Sequence, residues 1–209
     1  MTARIAAGAA AAAVLLTPTV GVAAAAPPTP LPLTARLIQP GGFPGLLSEP
    51  GQSTTYYTSP SKWAAIDKGL SSSLKDARTA RFRREGFVAL LARHLRAPTN
   101  KPWTGLSWVM QLGSTASARA ELAANVREAA AAEPPIKYTP FTVTGIPDAH
   151  GYRFTGLEGV GENLVFADGP FVYLVGCGGE LGQKGAPTRT ELIAAAGRLY
   201  KRVHGHPAH

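Results

Sequence analysis

The 209-residue chain holds a single cysteine, which excludes an internal disulfide framework and any zinc site of the Cys-x-x-Cys kind. Acidic residues are scarce too: 13 Asp+Glu stand against 21 Lys+Arg, a formal charge of +8. Charged residues of both signs reach only 16%, against about 25% in an ordinary soluble domain. There is no GxGxxG and no Gly-Lys-Ser/Thr, so both nucleotide-loop fingerprints are missing. What the chain has instead is alanine, 36 residues in all, of which 12 fall within positions 1–26. The 45% hydrophobic content is therefore swollen by one local segment. Length and apolar content still exclude a mini-protein and a mostly disordered chain.

Residues 1–26 have the layout of an export signal. Arg4 is the only early charge, and Ile5 to Leu16 form an uncharged apolar stretch. Thr17-Pro18 breaks it, and Ala24-Ala25-Ala26 offers the small side chains a signal peptidase accepts. The stretch is short of the about 20 strongly apolar residues that a stable membrane span needs. The n-region lacks a twin arginine, which favours the general secretory route. The expectation is an extracellular, wall or periplasmic protein without a transmembrane anchor after cleavage. Removing 1–26 takes away one charge, Arg4, so the mature chain stays basic. That excess suits an anionic envelope polymer, a small ligand or another envelope protein as partner. Nucleic acid is not expected, because the densest group, Arg78, Arg81, Arg83 and Arg84, has no interleaved aromatics.

Residues 27–50 are rich in proline and glycine and open with an extended spacer, Pro27 to Pro32. Leu33 to Ile38 reads as a first strand, ended by Pro40-Gly41-Gly42. A single domain is then expected over 51–204. Its readings are a short strand at Thr54–Thr58, a helical turn around Trp63, and a helix from Ser73 to Glu85 stopped by Gly86. Phe87 to Leu95 fits two templates. Phe87, Leu90, Leu91, His94 and Leu95 have helical spacing, but the glycine stop before them and the alternating strand at Leu106–Leu112 favour a hairpin. Strand is preferred. Ser114 caps a helix from Thr115 to Ala132, ended by Pro134-Pro135. Strands follow at Phe141–Val143, Tyr152–Phe154, Asn163–Ala167 and Pro170–Cys177, the last two flanking an Asp168-Gly169 turn. Phe171, Tyr173 and Val175 alternate with Val172 and Leu174, so this strand is apolar on both faces and belongs at the centre of a sheet. Thr188 and Glu191 have capping-box spacing at the start of a closing helix that Gly205 stops. The fold class is α+β, a mainly antiparallel sheet packed by helices.

Chemistry-bearing residues are few. His204, His206 and His209, in the tail 205–209 and just before it, are weak candidates for capturing copper, nickel or zinc. Cys177 follows a strand expected to be buried and reads as a small core filler. Gly176-Cys177-Gly178-Gly179 lacks the spacing of a phosphate loop. Ser107 has no second glycine to make a nucleophile elbow. His94, His150, Asp148 and Asp168 can be assembled into a triad only on paper, and the two aspartates lie where turns want them. No catalytic residue and no cofactor is assigned.

The segments from Phe141 to Ala149, Glu162 to Gly176 and Pro187 to Tyr200, with Gly42-Phe-Pro-Gly45, Gly86-Phe-Val88 and Ser107 to Gln111, resemble a group of exported proteins of high-GC actinobacteria. The layout is similar to the PsbP-like α/β/α sandwich of actinobacterial envelope lipoproteins and sensor domains. It departs from them in having no lipobox cysteine and no attached kinase. The resemblance implies a sandwich fold over residues 33–204 and supplies no catalytic residue. The reading is a secreted or envelope-associated, non-enzymatic binding domain. The alternatives are an envelope hydrolase with a site assembled from distant residues, and metal capture by the histidine tail.

Overall fold

The computed structural model describes residues 29–39, 41–43, 45–48, 54–66, 71–97, 103–131, 135–156, 159–179 and 187–207. Residues 1–26, expected from the sequence to be an export signal, and His209 lie outside the described residues. In chain order come a 3-10 turn η1 (Leu33–Arg36), β1 (Leu47–Ser48), β2 (Thr55–Tyr57), α1 (Pro60–Ala64), α2 (Ser72–Arg84), β3 (Ala89–Arg96) and β4 (Thr104–Gln111). Then follow α3 (Thr115–Ala130), β5 (Lys137–Phe141), β6 (His150–Thr155), β7 (Val160–Asp168), β8 (Phe171–Gly179) and α4 (Arg189–Val203). Every strand pairing is antiparallel, in the order β1-β3-β4-β8-β7-β6-β5, with β2 sharing the outer edge of β3. This is the α+β fold that the sequence pattern indicated.

Local signals set the helix starts. Ser71 accepts the Leu74 amide, Ser114 accepts the Ser117 amide, and Thr188 with Glu191 forms a complete capping box. Gly86 and Gly205, at φ +68° and +78°, supply the left-handed residues that end α2 and α4. The strand at β3 prevails over its helical spacing because β4 pairs with all eight of its residues, from Ala89↔Gln111 to Arg96↔Thr104. As a strand it sends Leu90 and Ala92 to one face and Leu91 and Leu95 to the other, and both faces are buried.

β8 lies at the middle of the sheet. Phe171, Tyr173, Val175 and Cys177 join Leu192, Ala196, Leu199 and Val203 of α4 in one core layer. Val172 joins Phe82 of α2, Trp108 and Ala118 of α3 on the opposite face, next to a smaller group of Leu122, Tyr152 and Val165. Helices thus cover both sides of one sheet, which is why its strands carry so few charges.

Four details differ from the sequence reading. Leu33–Ile38 is not a strand: after Pro32 the chain turns through η1, which points Arg36 into the core, fully buried. The strand expected at Phe141–Val143 lies earlier, at Lys137–Phe141, where Pro140 is tolerated because β5 is an edge. The β7–β8 turn is Gly169-Pro170, since Asp168 pairs with Phe171 across it. The domain also begins upstream of residue 51, because Leu37, Ile38, Phe43 and Leu46 are core residues.

Candidate functional site: two clefts at the β5–β8 end of the sheet

α3 ends in Ala129-Ala130, and these methyl side chains leave space between the helix and the β5–β6 hairpin. A cleft of about 550 Å³ opens there. Val126, Ala129 and Ala130 form the helix side; Tyr138, Pro140, Phe141 and Tyr152 form the hairpin side; Thr142, Val143, Ala149 and His150 also line it. Tyr138 and Tyr152 meet edge to face at 6.2 Å between ring centroids. Phe141 can lie flat against the strand only because its register partner is Gly151: a Cβ there would sit 2.1 Å from the ring. Tyr152 is 8% exposed, and its hydroxyl is buried without a hydrogen-bond partner. Burial, reinforced by Tyr138, pushes that phenol up to about 12, so it remains protonated at any physiological pH.

A second cleft, of about 500 Å³, lies where β6, β7 and β8 meet the start of α4. It is polar. Arg153, Glu162 and Arg189 line it with Cys177, Pro187 and Thr188, and Glu162 pairs with Arg189 at 2.7 Å. Burial, and next the negative charge of Glu162, pushes the Cys177 thiol up to about 12. That disfavours the thiolate a nucleophile requires.

The histidines take separate partners. His204 Nδ1 lies 2.9 Å from Asp168 Oδ1 and its ring stacks on Tyr200, while His206 Nδ1 lies 2.8 Å from the Thr29 carbonyl. His209 is outside the described residues. Among the described residues no group of three or more His, Cys, Asp or Glu is placed to hold a metal ion. The tail is held as far as Pro207, because the Arg36 guanidinium donates to the His206 and Pro207 carbonyls. His150 lines the first cleft among residues that include no serine, cysteine or carboxylate. His94 is exposed on β3, and Asp148 is a turn residue at φ +53°. Ser107 is fully buried, its Oγ accepting the Ile38 amide at 3.0 Å. The triad that can be written from the sequence is not brought together.

Tyr152 and Tyr138 escaped sequence reading because they look like ordinary strand residues. Their significance depends on the alanine end of α3, which reaches them only through the fold.

No protein-family model matches the chain, and no curated protein matches it in sequence. Among solved structures, the extracellular domain of PknH from Mycobacterium tuberculosis is similar at 13% identity and a TM-score of 0.42. The match covers 74% of this chain and 81% of that one. Such values are too low to transfer that domain's fold or role. Among the described residues no helix is long and apolar enough to cross a membrane.

Proposed function

We propose that the chain is an exported, non-enzymatic binding domain of the cell envelope, whose ligand sits in the cleft between α3 and the β5–β6 hairpin. The observation that carries this reading is the Tyr152 hydroxyl, buried and unpartnered in a residue that walls a 550 Å³ cleft. An orphaned buried hydroxyl costs about 1–3 kcal/mol, and a bound ligand that supplied its partner would remove that cost. Cleft size and lining, mostly apolar with a few polar groups, match those of small-molecule sites. The net positive charge would favour residence near anionic wall polymers or lipid headgroups.

Two measurements test the proposal. Expressed with residues 1–26 in a secreting host, the protein should appear outside the cytoplasm without its N-terminal apolar stretch. Retention of residues 1–26 on a cytoplasmic product refutes export. A thermal-shift screen of small molecules against the recovered protein should yield stabilising compounds whose effect disappears in Ala130→Trp, which fills the cleft from an exposed helix position. Stabilisation that survives this substitution places the ligand elsewhere.

A further inference from the structure

We infer that the cleft beside α3 takes a neutral, mainly apolar ligand carrying one hydrogen-bond-accepting oxygen. The inference rests on the binding reading above and specifies the chemistry of its ligand. Its first support is what the lining omits. Twelve residues line the cleft, and none is Lys, Arg, Asp or Glu. A charged group drawn into it would lose its hydration with no fixed counter-charge in return. The second cleft shows that neutrality is not a general property of this end of the sheet: Arg153, Glu162 and Arg189 all line that one.

The shape of the walls supports the second half. One side is nearly bare methyl groups, Val126, Ala129 and Ala130; the other presents the rings of Tyr138, Tyr152 and Phe141. Such a slot offers dispersion contact to a hydrocarbon chain or a flat ring along its length, and few hydrogen bonds. Among the lining residues, Tyr152 carries a hydroxyl that is buried and without a hydrogen-bond partner. Because burial keeps that phenol protonated, it has a hydrogen to donate, and its complement is a carbonyl, ester, ether or hydroxyl oxygen. A chain-bearing envelope lipid and a free aromatic compound share this chemistry.

Titration calorimetry with decanol, decanoate, decyltrimethylammonium and 4-ethylphenol decides the matter, using wild type, Tyr152→Phe and Ala130→Trp. Decanol or 4-ethylphenol should bind wild type at least about tenfold more tightly than either charged amphiphile, and the tighter of the two distinguishes a chain from a ring. Tyr152→Phe should weaken that ligand about fivefold, which is about 1 kcal/mol. The same substitution should leave the melting temperature of the ligand-free protein unchanged or higher, since it deletes an unsatisfied group. Ala130→Trp should abolish binding. Equal or tighter binding of a charged amphiphile, lost in Ala130→Trp, overturns neutrality while leaving the binding reading intact. Unchanged affinity in Tyr152→Phe overturns the hydrogen bond. Failure of all four probes, or binding indifferent to Ala130→Trp, overturns both the inference and the binding reading.

Discussion

The Arg36 guanidinium donates to the phenol oxygen of Tyr173 at 2.9 Å, joining the 3-10 turn at the start of the domain to its central strand. Arg36 is fully buried, and no carboxylate pairs with it among the described residues. Its other donors go to the Leu31, His206 and Pro207 carbonyls, and its plane lies 3.8 Å from the centroid of Phe171. One side chain thus ties the entering and leaving segments of the domain to β8. Arg36→Met should cost about 3 kcal/mol, because it orphans several buried acceptors at once. Arg36→Lys should recover little, since an ammonium cannot reproduce the planar fork. Urea denaturation measures both, and a loss below about 1 kcal/mol for the methionine variant would contradict this account.

Glu121 of α3 is almost wholly buried against α2. It accepts from Arg81 and from Asn125, and also faces Glu85, while Glu128 shares Arg81. Burial pushes Glu121 up to about 8, Arg81 opposing the shift and Glu85 adding to it. A carboxyl raised in the folded state binds its proton more tightly there than in the unfolded chain. Its stabilising contribution is complete below 4.5 and is lost as the pH rises towards 8. Unfolding free energy should therefore fall across that window, and Glu121→Gln should flatten the slope. Urea midpoints at half-unit pH steps test this; parallel profiles for the two proteins would refute it.

Phe141 lies over Gly151, and the methyl of alanine at that position would sit 2.1–2.5 Å from ring atoms. Gly151→Ala should cost about 1–3 kcal/mol by overpacking. Because Phe141 walls the first cleft, the substitution should also alter ligand-induced stabilisation. Chemical denaturation and near-ultraviolet circular dichroism follow the two effects separately. An unperturbed protein would mean that the ring does not rest on the strand.

The capping box of α4 makes a simpler prediction. Thr188→Ala removes the acceptor for the Glu191 amide and should cost about 1 kcal/mol. Hydrogen bonds from the Thr188 backbone amide and hydroxyl hold the Glu191 carboxyl below its ordinary range. The stability linked to that depressed carboxyl is present above pH 4.5 and lost on acidification. The variant should therefore be less sensitive to pH below 4.5 than wild type, as thermal melts in acid would show.

Features legible in the sequence are those whose cause is local. Thr188 and Glu191 announce the start of α4, Gly86 and Gly205 mark helix ends, and the two-faced apolar run from Phe171 to Cys177 marks the central strand. Each is decided within a few residues by hydrogen bonding, backbone freedom or side-chain alternation. Tertiary partners decided the rest. Ala89–Arg96 carries helical spacing and becomes a strand because β4 pairs with its whole length. Leu33–Arg36 turns instead of extending because its arginine meets Tyr173, 137 positions away. The first cleft exists because the alanine end of α3 faces aromatic residues of a hairpin that starts after the helix is complete. Periodicity reports how a segment divides its own faces; what each face meets depends on loop closures and sheet order that no single segment encodes.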